Sequence, residues 1–127
     1  MKITNISEVP TCSQRAAKVA LAIGADVHLD NAGDLLVSFA GADRYFFDPE
    51  NVTTHVMEAL EYARLYGFMC NGHRVPLIVR IEYSNEDVRV QIGASLWYHC
   101  AGINAAAATR RAIVDAFCAY YDEMPKA

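Results

Sequence analysis

Gly102-Ile103-Asn104-Ala105-Ala106-Ala107-Ala108-Thr109-Arg110-Arg111-Ala112-Ile113-Val114-Asp115-Ala116-Phe117-Cys118-Ala119-Tyr120-Tyr121 is the last long periodic stretch of the chain, and its reading decides the fold. Ala105, Ala108, Ala112, Ile113, Ala116, Phe117 and Tyr120 recur at the three- and four-residue spacing of one helix face. Thr109, Arg110, Arg111, Asp115 and Asp122 fall on other faces. The spacing predicts an amphipathic helix whose four leading alanines let its first half approach another layer closely. Asn104 stands at the N-cap, where its amide oxygen can accept from a first-turn N–H.

Working outward, the earlier segments supply surfaces for that helix to pack on. Thr11-Cys12-Ser13-Gln14 has the form of a capping box, followed by a stripe of Ala16, Ala17, Val19, Ala20 and Ile23 up to Gly24, which predicts a short first helix. Ala25, Val27 and Leu29 alternate with Asp26, His28 and Asp30, and after the turn residues Asn31 to Asp34 an apolar strand runs from Leu35 to Ala40. Asp48-Pro49-Glu50 has the order of a helix start, with Val52, Val56, Ala59, Leu60 and Ala63 as the inner stripe up to Gly67. Val75 to Tyr83 and Val88 to Ile92 then alternate around Ser84-Asn85-Glu86-Asp87, a second hairpin that leads through Gly93 and Trp97 to the final helix. The order is helix, hairpin, helix, hairpin, helix. It predicts an α+β fold in which the two hairpins share one antiparallel four-stranded sheet with the helices packed on it.

With 127 residues, of which 54% are hydrophobic and 20% charged, the chain can bury a continuous core without disulfides or metal. A single domain over 1–127 is expected, with 1–10 an N-terminal segment, 11–123 the core and 124–127 a tail. No apolar run approaches the roughly 20 residues of a membrane span, and Met1-Lys2-Ile3-Thr4-Asn5 does not open a signal peptide. A cytoplasmic location without membrane partners is therefore expected. The formal net charge of −4 disfavours general nucleic-acid binding, which rests on clustered Lys and Arg. Cys12, Cys70, Cys100 and Cys118 lack a secretory context, so buried free thiols are expected.

Two local patterns resemble small bacteriophage proteins. Tyr45-Phe46-Phe47-Asp48-Pro49-Glu50-Asn51 looks like the aromatic lead-in to the middle helix of the phage ABA-sandwich domain family, with Phe46 or Phe47 where those proteins have tyrosine. Asn104 to Val114, with Ala107-Ala108-Thr109-Arg110-Arg111-Ala112, is similar to the closing helix of the same family and, more loosely, of NinX-like phage proteins. The resemblance spans about residues 13 to 121 in order. It implies an α/β/α sandwich encoded by a phage or prophage and acting in the host-cell cytoplasm. Small phage proteins of this sort include counter-defence proteins, among them sponges that sequester nucleotide signals made by bacterial immune systems.

The residues offer little for catalysis. Cys70-Asn71-Gly72-His73 and His99-Cys100 carry ligand types suited to zinc, but adjacent strand residues such as His99 and Cys100 point to opposite faces. No metal and no cofactor is expected. Neither an orienting acid nor an oxyanion hole accompanies any Cys or Ser, and no glycine-rich phosphate loop is present, so the chain is expected not to be an enzyme.

The basic residues are more informative. Arg74, Arg80 and Arg89 share strand faces, and Arg110 and Arg111 lie within two turns of a helix N-terminus. Guanidinium forks and helix-end N–H groups both favour anions. Arg110, Arg111, Asn104, Arg80 and Arg89, with Trp97 or Tyr45 stacking on a base, are accordingly the candidate ligand-binding set for an anionic, nucleotide-like molecule. Pairing of those arginines with Glu82, Glu86, Asp87 and Asp115 is the competing account. The alternative function is binding of a host defence protein, or homo-oligomerisation, through an aromatic patch such as Trp97, Tyr98, Tyr120 and Tyr121.

Overall fold

A computed structural model describes residues 1–102 and 104–126. Ile103 and Ala127, which the sequence reading places in the lead-in to the last helix and in the tail, lie outside the described residues. After short 3-10 turns at Ile6–Glu8 and Thr11–Ser13, the first helix is α1, Gln14–Ala22. Three strands follow, β1 Asp26–Leu29, β2 Leu35–Ser38 and β3 Tyr45–Phe46, and then α2, Thr53–Tyr66. Next come β4 Phe68–Cys70, β5 His73–Val75, β6 Val79–Tyr83, β7 Asp87–Ile92, β8 Tyr98–Ala101 and the closing helix α3, Ala105–Glu123.

Among the described residues the fold is α+β with three helices, and all of the sheets are antiparallel. The single four-stranded sheet expected from the two hairpins does not form among the described residues. Strands instead divide into sheets ordered β1-β2-β3, β4-β5 and β6-β7-β8. Two local features contribute. Pro76 has no N–H to give a ladder, so the stretch read as one strand from Val75 to Tyr83 breaks into β5 and β6. Gly93 turns at φ 60°, and the chain doubles back to lay β8 along the free side of β7. Residues of the N-terminal segment extend the first sheet: Ile3 N–H donates to the Val27 carbonyl at 2.7 Å and Leu29 N–H to that of Met1 at 3.0 Å.

α3 starts where the Asn104 side chain caps it, accepting from Ala107 N–H at 3.1 Å. Its buried side chains include Ala112, Ile113, Val114, Phe117, Cys118 and Tyr121, more than one narrow stripe, because α3 packs on α1 and also on β7 and β8. Phe68 meets Phe117 and Tyr120 at centroid separations of 5.3 and 5.0 Å. Of the four leading alanines only Ala108 is buried; Ala105, Ala106 and Ala107 stay exposed in the first turns.

Both other helix starts differ from their sequence signals. Thr11 and Gln14 form no capping box: Gln14 Nε2 donates instead to the Val9 carbonyl at 3.1 Å, and the reciprocal box is made by Asn5 and Glu8. Asp48 does not cap α2. Its backbone N–H is taken by His55 Nδ1 at 2.9 Å and its carbonyl accepts from Val52 N–H at 2.9 Å, closing a turn. The chain then passes through extended backbone at Val52 before helix begins.

Candidate functional site

The register of the third sheet fixes what each of its faces carries. Val79↔Ile92, Ile81↔Val90 and Val88↔Cys100 pair on one face, and Val88, Val90 and Ile92 are buried there, on strands that pack against α3. Side chains alternate along a strand, so Arg80, Glu82, Asp87, Arg89, Gln91 and His99 share the opposite, outer face. Trp97, just before β8, completes it: the Arg89 guanidinium carbon lies 4.2 Å from its ring centroid.

The polar side chains of this face find partners on the face itself or in the turns beside it. Arg89 Nε donates to Glu82 Oε1 at 2.7 Å, and Arg89 Nη2 closes a second contact to the same oxygen. Both partners are substantially exposed, so the pair is worth only about 0–1 kcal/mol. Arg80 Nη1 donates to Gln91 Oε1 at 3.2 Å, and Gln91 Nε2 donates to the Ser95 carbonyl at 2.9 Å. His99 Nδ1 lies 2.7 Å from Asp87 Oδ2, and Ser84 Oγ donates to Asp87 Oδ1 at 2.8 Å. Those two contacts hold the Asp87 carboxyl below its ordinary range, His99 contributing the larger part. Because Ser84 donates to the carboxylate and not to the imidazole, the three residues do not form a nucleophile relay. A hollow of about 260 Å³ opens among Glu82, Tyr83, Ser84, Asp87, Arg89 and His99.

The remaining sequence candidates lie elsewhere. Arg110 docks onto the approach to α2, donating to the Glu50 carbonyl at 3.0 Å and to Thr53 Oγ1 at 2.8 Å. Tyr45 donates to Glu58 at 2.6 Å and lies 4.8 Å from the His55 ring; its burial, then Glu58, push the phenol pKa up. Asn104 and Arg111 line a separate hollow of about 290 Å³ at the start of α3 with Cys100 and Gly102. The candidate set thus divides: Arg80, Arg89 and Trp97 are together, Asn104 and Arg111 are together, and Arg110 and Tyr45 are engaged in packing contacts.

Arg74 has a role that its sequence position does not signal. It donates to the Ile23 and Gly24 carbonyls at 2.9 and 3.2 Å, closing the C-terminal end of α1, and to Tyr62 Oη at 3.1 Å. Asp115 pairs with Arg15 of α1 rather than with Arg110. Glu82, Asp87 and His99 were legible only through the register, since matching parity across two turns is what places them beside Arg89.

All four cysteines are free, but only Cys118 is buried, and Cys12 is exposed. Burial pushes the Cys118 thiol up to about 11, which leaves it protonated at neutral pH. Cys70 and His73 face each other across β4 and β5, while His99 and Cys100 belong to the third sheet. Among the described residues no three His, Cys, Asp or Glu side chains gather as a metal site. A larger hollow, of about 350 Å³, lies by Lys2, Leu21, Met69, Tyr121 and Lys126, and none of the candidate ligand-binding residues lines it. Among the described residues no helix is long and apolar enough to cross a membrane. A scan of protein-family models and searches of curated proteins and of solved structures return no match to this chain.

Proposed function

We propose that the chain is a non-enzymatic binding protein whose contact surface is the outer face of β6, β7 and β8, and that its partner is a protein. The observation that carries this reading is the Arg89–Trp97 stack beside the Glu82–Arg89 ion pair and the Asp87–His99 contact. Trp and Arg are the side chains that most often dominate protein interfaces. A face that sets Glu82 and Asp87 among Arg80 and Arg89 has little net attraction for a small anion, but it presents donors, acceptors and aromatic surface to a complementary protein. Leu96, 76% exposed beside Trp97, extends the apolar part of that surface.

The experiment is site-specific photo-crosslinking in an extract of the protein's own cells, with the reactive group at position 96, beside an intact Trp97, and, as control, at Glu61 of α2. A discrete adduct from position 96, competed away by unlabelled wild-type chain but not by Trp97→Ala, is the expected result. Equal adducts from both positions would remove the reading.

A second reading is favoured by a different observation. Arg111 is exposed in the hollow it shares with Asn104, and among the described residues no ion pair engages it. That corner suits an anionic, nucleotide-like molecule. Calorimetric titration of cyclic nucleotides and ADP-ribose derivatives tests it: heat that is lost in Arg111→Ala supports the small-molecule reading, and no heat from any of them ends it. The phage setting, a counter-defence role in the host-cell cytoplasm and a sandwich-like layering are supported by the resemblance of the Tyr45–Asn51 and Asn104–Val114 stretches alone.

A further inference from the structure

β6 lies at the edge of its sheet, hydrogen-bonded to β7 on one side only. Two bonds fix its phase: Gly93 N–H donates to the Ile78 carbonyl at 2.8 Å, and Ser84 N–H to that of Asp87 at 2.9 Å. In a regular antiparallel ladder alternate residues bond to the same neighbour. The unbroken register between β6 and β7 therefore turns Ile78, Arg80, Glu82 and Ser84 toward β7. Val79, Ile81 and Tyr83 direct their N–H and C=O groups away from it, and among the described residues no hydrogen bond takes them up on that side.

The sequence of this strand is complementary to itself. If β6 meets a second β6 in antiparallel sense about Ile81, Ile81 falls opposite Ile81, Val79 opposite Tyr83, and Arg80 opposite Glu82. The odd-numbered residues carrying free backbone groups are then the ones that exchange hydrogen bonds, so the ladder phase and the side-chain pairing select the same register. Arg80 of one copy would meet Glu82 of the other, which is already held by Arg89, giving an alternating row of charge across the joint. Ile78 and Tyr83, each 64% exposed, lie at the ends of the strand and would be covered in part. Charged side chains on an edge ordinarily discourage pairing with another chain. Here their signs are inverted about the strand centre, so they oppose other registers and match this one. A pairing of one strand with its own copy closes on a two-fold axis and does not propagate into a fibre.

We infer that the protein forms a homodimer through antiparallel pairing of β6 with β6 of a second copy, centred on Ile81, so that one continuous sheet runs across both. The inference is independent of the partner assigned to the outer face, since a monomer can still use that face.

Light scattering and sedimentation from about 1 μM to about 1 mM, with amide hydrogen exchange read by NMR, test it on the intact chain. The expected result is a mass twice the 14.0 kDa of one chain, with the Val79, Ile81 and Tyr83 amides protected together with those of Arg80 and Glu82. Arg80→Glu places like charges opposite one another on both sides of the central Ile81 pair and should weaken the dimer about tenfold or more. A single-chain mass at every concentration overturns the inference, as does a dimer in which the Val79, Ile81 and Tyr83 amides exchange freely. A dimer whose affinity Arg80→Glu leaves unchanged overturns it equally.

Discussion

Gly67 ends α2 at φ 83°, ψ −168°, a region open in practice only to glycine, and a Cβ there would stand 2.5 Å from the Val75 carbonyl oxygen. Gly67→Ala should therefore lower the unfolding free energy by about 3 kcal/mol, measured by urea denaturation. At Asp87 the sign runs with acid. Its folded-state pKa is depressed by His99 and Ser84, so the stabilisation is fully present above the unfolded carboxyl value of about 3.9 and is lost as pH falls through the lower folded value. Thermal melts of wild type and Asp87→Asn should accordingly differ most above pH 4 or so and converge in stronger acid. Melts that stay parallel to the lowest pH would show that the His99 and Ser84 contacts do not hold the carboxylate. Cys118 and Cys12 give a simple contrast. A thiol reagent at pH 8 should modify exposed Cys12 in the native protein and reach buried Cys118 only on unfolding.

Elements differ in how far their own residues define them. α3 was legible because Asn104, the alanine run and the Ile113–Phe117 spacing all specify the same helix, and Asn104→Ala should cost about 1 kcal/mol by removing the cap that Ala107 N–H uses. Helix α1 is closed from outside, by Arg74 on the Ile23 and Gly24 carbonyls, a contact fifty residues distant in sequence for Gly24 and invisible to local pattern. Arg74→Ala should destabilise the fold by about 1–2 kcal/mol, with Arg74→Lys restoring only part, because one ammonium cannot serve both carbonyls and Tyr62 with the same planar fork. The start of α2 misleads for a local reason: Asp48, Pro49 and Glu50 have the composition of a cap, but the Asp48 carboxylate accepts from the Asn51 side-chain amide at 3.2 and 3.1 Å, and the helix begins only at Thr53. Strand alternation revealed the outer-face residues of β6 and β7, whereas the division into three sheets depends on Pro76 and Gly93 acting together with tertiary packing. Likewise the arginines were visible as a set, but which carboxylate each would meet was not: Asp115 went to Arg15, and Arg110 to the Glu50 carbonyl and Thr53.

At the scale of the whole molecule, α3 packs on α1 and on the inner face of β7 and β8, which leaves the outer face of that sheet free to carry Arg80, Arg89, Trp97 and His99. The core determines which face is left over, and the register determines what it displays. Arg111, at the opposite end of the candidate set, serves as an internal comparison because it lies in the Asn104 hollow and outside the sheet face. Once crosslinking has supplied the partner, the affinity of that partner for Trp97→Ala and for Arg111→Ala, measured by calorimetry beside wild type, is the most direct test. The outer-face account predicts about a 30-fold loss for Trp97→Ala and wild-type affinity for Arg111→Ala. Full affinity in Trp97→Ala, with the loss appearing in Arg111→Ala, would contradict it.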